Sequence, residues 1–139
     1  MPSLSKKETA LGMKYITAEG AATSAKDSVL VSYLTPLALA LGATNQQIGF
    51  LNSFPSLFGN LIQPAAGKYI ETRGGKKSTT LITHALASMI LLIIALIPLG
   101  AVENKIFMLI FFATIYYTIL NFGATAWLSW IADVIPEKT

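Results

Sequence analysis

Two adjacent charged residues, Lys26 and Asp27, interrupt the first apolar segment and are the best placed for chemistry. An ionised side chain near the centre of a bilayer costs about 2.5 to 3.5 kcal/mol on insertion scales. One interpretation is that Asp27 faces a watery cavity as a proton or substrate site. The other is that Lys26 extends its ammonium group to the interface while Asp27 pairs with a neighbouring helix. The sequence leaves both interpretations open.

Other chemistry has little material in this chain. There is no cysteine and one histidine, His84, so thiolate metal sites and histidine clusters are excluded. Gly-x-Ser-x-Gly, His-Glu-x-x-His and phosphate-loop motifs do not occur. We therefore predict no enzymatic activity, no metal and no cofactor. His84 and Glu19 fall nearer the ends of their segments, where water solvates polar groups, and we assign them no role.

Polar side chains follow helical spacing in two of the apolar segments. Asn52, Asn60 and Gln63 recur with serine and glycine at three- and four-residue steps, and Asn121 and Thr125 belong to a similar stripe further along. Such stripes usually serve helix packing in membranes, where amides and hydroxyls bond across helices. If a polar cavity exists, these five side chains are the candidates to line it.

The composition indicates which elements must hold these residues. Hydrophobic residues make up 53% of the 139 residues and charged residues 12%, and the mean hydropathy is +0.59. These values predict a membrane protein whose main contact is the lipid bilayer. The net charge of +3 does not indicate nucleic-acid binding, because the basic residues lie in short connections beside apolar segments.

Four segments, at about residues 17–41, 46–70, 78–99 and 106–131, are long enough to cross a bilayer. Helices of ~22 to 26 residues rise ~33 to 39 Å, more than a ~30 Å hydrocarbon core. We predict an all-α polytopic protein with four transmembrane helices, in which residues 1–16 form a tail and residues 17–139 the membrane domain. The third helix, apolar all round from Met89 to Leu99, is expected to face lipid, and the other three to face inward.

Two local signals mark the boundary between the first and second helices. Gly42 suits a helix C-terminal turn, and Thr44 followed by Gln47 fits a capping box.

The distribution of lysine and arginine predicts the orientation in the membrane. The central connection is the predicted loop from Glu71 to Lys77, between the second and third helices. The excess of lysine and arginine on one side places the N-terminus, this connection and the C-terminus in the cytoplasm, in what we expect to be the plasma (inner) membrane. The residues on that side are Lys6, Lys7, Lys14, Lys68, Arg73, Lys76, Lys77 and Lys138, and Lys105 lies on the other.

Charges around the central connection oppose the dipoles of their own helices. Glu71 lies at the C-terminal end of the second helix, and Lys76 and Lys77 lie at the start of the third. Asp133, just beyond the fourth helix, is misplaced in the same sense. The simplest arrangement pairs Arg73 or Lys76 with Asp133 and leaves Glu71 to meet a cation or another helix N-terminus. A solvated, positive-inside loop is the alternative.

The pattern Gly67-x-x-x-Glu71-x-x-Gly74-x-Lys76-Lys77 resembles the signature loop between the second and third helices of the major facilitator superfamily. The family pattern is usually Gly-x-x-x-Asp-Arg-x-Gly-Arg-Arg/Lys. Asp133-Val-Ile-Pro136 is similar to the Asp-x-x-Pro found after the fourth helix of many members.

The chain also departs from the family pattern. Glu71 replaces the aspartate, Thr72 and Gly75 replace two arginines, and Arg73 is displaced by one position.

The resemblance implies the first four of twelve helices of a secondary transporter, built from inverted repeats. It implies alternating access for a small solute, with H⁺ or Na⁺ as possible coupling ion and the missing eight helices as partner. The first and fourth helices would then line the cavity, the second would lie between the halves, and Glu71 would contact the second half. Two alternatives remain: a four-helix dimeric exporter like the small multidrug resistance family, and a non-transporting membrane fragment or scaffold.

Overall fold

A computed structural model describes residues 6–101 and 103–134, and these ranges are helical with short connections and no strand. The all-α prediction is therefore confirmed for this part of the chain. The helices are α1 (Lys6–Ala40), α2 (Asn45–Arg73), α3 (Lys76–Leu96), a 3-10 turn (Ile97–Leu99) and α4 (Lys105–Val134).

Helix α1 begins at Lys6, well before the predicted start near residue 17. The residues of the predicted tail include Lys, Glu, Ala, Leu and Met, which lose little side-chain freedom in a helix. The helix therefore continues through most of a segment whose lack of an apolar run had suggested a tail. Hydropathy sets where a helix enters a membrane, and it does not set where the helix starts.

The boundary between α1 and α2 forms as its local chemistry predicts. Gly42 has φ +86°, and the amides of Gly42 and Ala43 donate to the carbonyls of Leu39 and Ala38, each at 2.9 Å. This is a Schellman ending, which requires the left-handed conformation that glycine adopts without steric cost. The capping box of α2 is also confirmed, because Thr44 Oγ1 accepts from the Gln47 amide and Gln47 Oε1 accepts from the Thr44 amide.

The connection between α2 and α3 is shorter than predicted. It consists of Gly74 and Gly75, both with positive φ, so the expected loop from Glu71 to Lys77 is wrong in its extent. Glu71 lies in the last turn of α2, and Lys76 and Lys77 open α3. Both glycines have a positive φ, which residues with a Cβ rarely adopt, so the chain can turn within two residues and both helices extend up to them.

Helix α4 is the centre of the bundle. It packs extensively along both α2 and α3, whereas α1 makes fewer contacts with α2 and α4. The buried core contains Leu109, Ala113 and Tyr116 of α4, with Leu51 from α2 and Ala87 from α3. Helix α1 adds Leu30, Leu34 and Ala38 to this core.

Helix α3 has two different faces. Thr80, Thr83, Ala87 and Ile94 are buried against the bundle. The opposite face is exposed and apolar, and its large residues are Leu81, Ile82, Leu86, Met89, Leu92 and Leu96. A contiguous exposed apolar surface of this kind marks a membrane or partner contact.

Two of the described helices are long and apolar enough to cross a membrane. They are α3 with its 3-10 turn, over Lys76–Leu99, and α4, over Lys105–Ala132. Helices α1 and α2 have 35 and 29 residues and the necessary length, but they carry more polar side chains. The same polar residues that suggested chemistry therefore lower the hydropathy of the helices that hold them.

Candidate functional site

Asp27 is held on α1 by contacts to two neighbours. Tyr116 Oη of α4 donates to Asp27 Oδ1 at 3.1 Å, and Lys26 Nζ lies 3.8 Å from the same oxygen. The Lys26 ammonium is also 5.7 Å from the centre of the Tyr116 ring. The side chains of Lys26 and Asp27 are 24% and 33% exposed, so the pair is only partly buried. Asp27 thus has a partner on a neighbouring helix, as one of the two interpretations expects.

Asp27 also lines a cavity of about 230 Å³ between α1, α3 and α4, which we call the Asp27 cavity. The other interpretation expects such a cavity, and the two are compatible in this arrangement. Asn121 lines it from α4, as the polar stripe had suggested. The full lining is Gly20, Thr23, Ser24, Asp27, His84, Leu120, Asn121, Ala124 and Trp127.

His84 and Trp127 belong to this cavity, although sequence reasoning gave neither a role there. Trp127 Nε1 donates to Glu19 Oε2 at 3.3 Å, which ties the indole of α4 to α1. Glu19 was likewise assigned no role. One signal was available, because His84 is the sole histidine of the chain and lies within the third apolar segment rather than in a connection.

The amides of α2 and α4 form a second polar contact, adjacent to the cavity. Gln63 Nε2 donates to Asn121 Oδ1 at 2.9 Å, and Asn121 Nδ2 donates to the Tyr117 carbonyl at 2.8 Å. Gln63 also reaches Asn60 Oδ1 at 3.5 Å, a weak contact, and Thr125 Oγ1 donates to the Asn121 carbonyl at 3.1 Å. Gln63 and Asn121 are therefore joined across the two helices, while Asn60 and Thr125 make their bonds within their own helices.

Asn52 is the stripe residue that lies apart. Its side chain is exposed and donates to the Ile48 carbonyl of its own helix at 3.0 Å. Asn52 is a full helical turn or more from Asn60 and Gln63, so the α4 contact does not extend to it.

Glycine allows α2 and α4 to approach where the amides meet. A Cβ built on Gly59 would lie 2.6 Å from Asn121 Nδ2 and 3.4 Å from the Tyr117 carbonyl oxygen. Because Gly59 is buried and has no side chain, the Asn121 amide fits against α2, where Gln63 donates to it. Small residues commonly permit such close contacts between membrane helices.

The central connection is joined to α4 through Lys76. Lys76 Nζ donates to the Ser129 carbonyl at 3.2 Å, and the Arg73 guanidinium lies 5.8 Å from the Tyr69 ring centre. Glu71 and Lys77 are exposed, and Gly67 is half-buried. Asp133 lies in α4, but its side chain is outside the described part of the structure, so its predicted pairing with Arg73 or Lys76 stays a prediction.

Comparison of the chain with protein-family models, curated proteins and solved structures returned no match. The geometry nevertheless defines a class of site. A carboxylate and an imidazole line a cavity between helices, and an adjacent amide contact ties two of those helices together. Such a site can hold a proton or a polar ligand within a bundle that has an apolar exterior.

Proposed function

We propose that this chain forms four transmembrane helices of a secondary active transporter that moves a small solute by alternating access. The observation that carries the proposal is the position of Asp27, a carboxylate on the wall of a cavity between helices that expose many large apolar side chains. Ionisable residues in membrane helices usually face a cavity and mark the path of a substrate or proton. H⁺ or Na⁺ is the coupling ion in this proposal.

The polar residues of α1 support membrane insertion of all four helices. Asp27 and Glu19 each accept a hydrogen bond from α4, so their oxygens have partners in the absence of bulk water. Pairing of this kind lowers the cost of placing a polar group at membrane depth.

The exposed polar face of α2 supports incorporation into a larger assembly. Asn52, Ser56, Asn60 and Gln63 are exposed in this chain, and in lipid such a face is unfavourable. The resemblance to the major facilitator superfamily places eight further helices beside this chain, with α2 at the junction. We infer that those helices cover the polar face.

Topology is the first test, and the absence of native cysteine makes it direct. Single cysteines at Ser78, beside the central connection, and at Asn104, in the turn before α4, report on opposite ends of the bundle. In intact cells a membrane-impermeant maleimide is expected to label Asn104→Cys. The same reagent is expected to label Ser78→Cys only after the cells are permeabilised. Labelling of both positions in intact cells would contradict the predicted orientation.

The assembly is tested by reading the gene beyond codon 139. A twelve-helix transporter requires about eight further hydrophobic segments. A stop codon followed by unrelated sequence would remove the support for this assembly.

Transport itself is tested in proteoliposomes that contain the complete assembly and a proton or sodium gradient. We expect accumulation of at least one solute from a metabolite mixture, measured by mass spectrometry, and loss of that accumulation in Asp27→Asn. Glu103→Gln is the matched control, because it removes an exposed carboxylate from the turn before α4. Accumulation that is equal in wild type and Asp27→Asn would refute the role of Asp27.

A dimeric four-helix exporter is the second candidate. It is favoured by one observation, that all the residues lining the Asp27 cavity come from α1, α3 and α4 of this chain. This candidate predicts gradient-dependent flux in proteoliposomes that contain the 139-residue chain alone. The twelve-helix assembly predicts no flux under that condition.

A further inference from the structure

The formally charged side chain that lines the Asp27 cavity is acidic. Asp27 lines the cavity, and no lysine or arginine is among its lining residues. Lys26 instead lines a separate apolar groove with Leu30 and Leu34. Its ammonium is 3.8 Å from Asp27 Oδ1, longer than the ~2.7 to 2.9 Å of a charge-assisted hydrogen bond. Lys26 therefore offsets the charge of Asp27 incompletely, and the cavity favours a cation.

Asp27 also has bonding capacity left for a ligand. The hydroxyl of Tyr116 and the ammonium of Lys26 both approach Oδ1, and no hydrogen bond within the described residues engages Oδ2. The imidazole of His84, across the cavity on α3, likewise makes no hydrogen bond to a described residue. An ionised carboxylate accepts several hydrogen bonds, so a donor in the cavity would find a free acceptor.

The remaining lining favours an organic cation over a bare metal ion. Leu120, Ala124 and Gly20 supply apolar surface, and Trp127 supplies an indole ring. Trp127 is held by the bond that its Nε1 donates to Glu19. Aromatic rings attract cations that carry apolar groups, whereas Na⁺ and Ca²⁺ require a cage of oxygens.

We propose that the Asp27 cavity binds a small organic cation, a substituted ammonium, with Asp27 as its counter-ion and Trp127 as its aromatic wall. This inference rests on the proposed function, for which it names the substrate class. The volume of about 230 Å³ suits a small molecule and not a polymer or a large solute.

Choline meets this size and charge, and 3,3-dimethyl-1-butanol is its uncharged isostere. The chain has two tryptophans, and Trp130 lies outside the cavity, so Trp130→Phe leaves Trp127 as the fluorescent reporter. In lipid nanodiscs containing the full chain, we expect a saturable change of Trp127 fluorescence with choline. The alcohol is expected to bind at least tenfold more weakly, and sodium chloride at equal ionic strength to give no saturable change.

Two variants in the reporter background test the residues. Asp27→Asn is expected to weaken choline binding at least tenfold, and Ala124→Leu to abolish it by filling the cavity while Asp27 is retained. Glu103→Gln, outside the cavity, should bind as the reporter parent does. Circular dichroism checks that each variant keeps its helices, and if Asp27→Asn does not fold, Ala124→Leu decides.

The proposal is overturned if the alcohol binds as tightly as choline, if sodium alone gives the same saturable change, or if folded Asp27→Asn and Ala124→Leu both bind normally. Binding at equilibrium is separate from flux. Choline binding that depends on Asp27, without transport by any assembly, would refute the proposed function alone. Transport of a neutral or anionic solute that depends on Asp27, without choline binding, would refute this inference alone.

Discussion

Replacement of Gly123 by alanine tests the close contact between α3 and α4. Gly123 is buried, and a Cβ built on it would overlap Thr83 Oγ1 and lie 2.9 Å from Thr83 Cβ. The Thr83 side chain is fixed, because its hydroxyl donates to the carbonyls of Thr79 and Thr80, each at 2.9 Å. A rotamer change moves the hydroxyl but not the Cβ. The two helices must therefore separate locally to admit the methyl group.

The magnitude follows from a comparison with a glycine in open space. Overpacking in a close-packed interior costs about 1 to 3 kcal/mol, and glycine to alanine within a helix gains up to about 1 kcal/mol. Gly49 of α2 has no atom within 4 Å of a built Cβ, so Gly49→Ala receives the gain alone. The gain cancels in the comparison, and Gly123→Ala should be less stable than Gly49→Ala by about 1 to 3 kcal/mol.

Unfolding by sodium dodecyl sulfate, followed by circular dichroism in mixed micelles, measures this difference. Gly123→Ala is expected to unfold at a lower detergent fraction than wild type, and Gly49→Ala at an equal or higher one. Adding Thr83→Gly to Gly123→Ala should recover part of the loss, because it removes the atoms that clash. Equal stability of Gly123→Ala and Gly49→Ala would refute the close packing of α3 on α4.

Four further substitutions are measured by the same titration. Thr44→Ala removes the capping box and should cost about 1 kcal/mol, and no loss would mean that the box is not formed in micelles. Gly74→Ala should cost about 1 to 3 kcal/mol, because φ 65° with ψ −147° is a region left to glycine, whereas Gly75→Asn (φ 69°, ψ 30°) should be nearly neutral. The reverse order would contradict the geometry of this connection. Gln63→Leu removes the bond to Asn121 and should cost about 0.6 kcal/mol, and a change above 2 kcal/mol would show that the amide has further partners.

Helix boundaries formed by local chemistry could be predicted from the sequence. Gly42 and Thr44 act through backbone and side-chain bonds within a few residues, and both behave as predicted. The N-terminal start of α1 could not be predicted from apolar runs, because helix formation before residue 17 depends on propensity. The central connection is short because Gly74 and Gly75 both have a positive φ. Glycine can adopt either sign of φ, so the sequence alone does not predict this conformation.

The candidate site was predictable to the extent that its residues stand out within one helix. Asp27 is a charge in an apolar segment, and Asn121 belongs to an amide stripe, so both were recognised. His84 was not assigned to the cavity, because its position there depends on which face of α3 meets α4. The close approach of Thr83 to Gly123 is part of that interface, and these two residues lie forty positions apart, so the sequence around either one gives no signal of the contact.

Helix α4 forms hydrogen bonds with each of the other three helices. Among the described residues, α1 reaches it through Asp27 and Glu19, α2 through Gln63, and α3 through Lys76. A ribosome releases α4 after all of these residues have been synthesised. If all four helices insert into a membrane, as we propose, the bonds that Asp27, Glu19 and Gln63 make to α4 form only after the fourth helix has entered the bundle. Quality control of this protein would then depend on the arrival of α4, and a chain stalled before it would present the membrane with exposed carboxylates and amides.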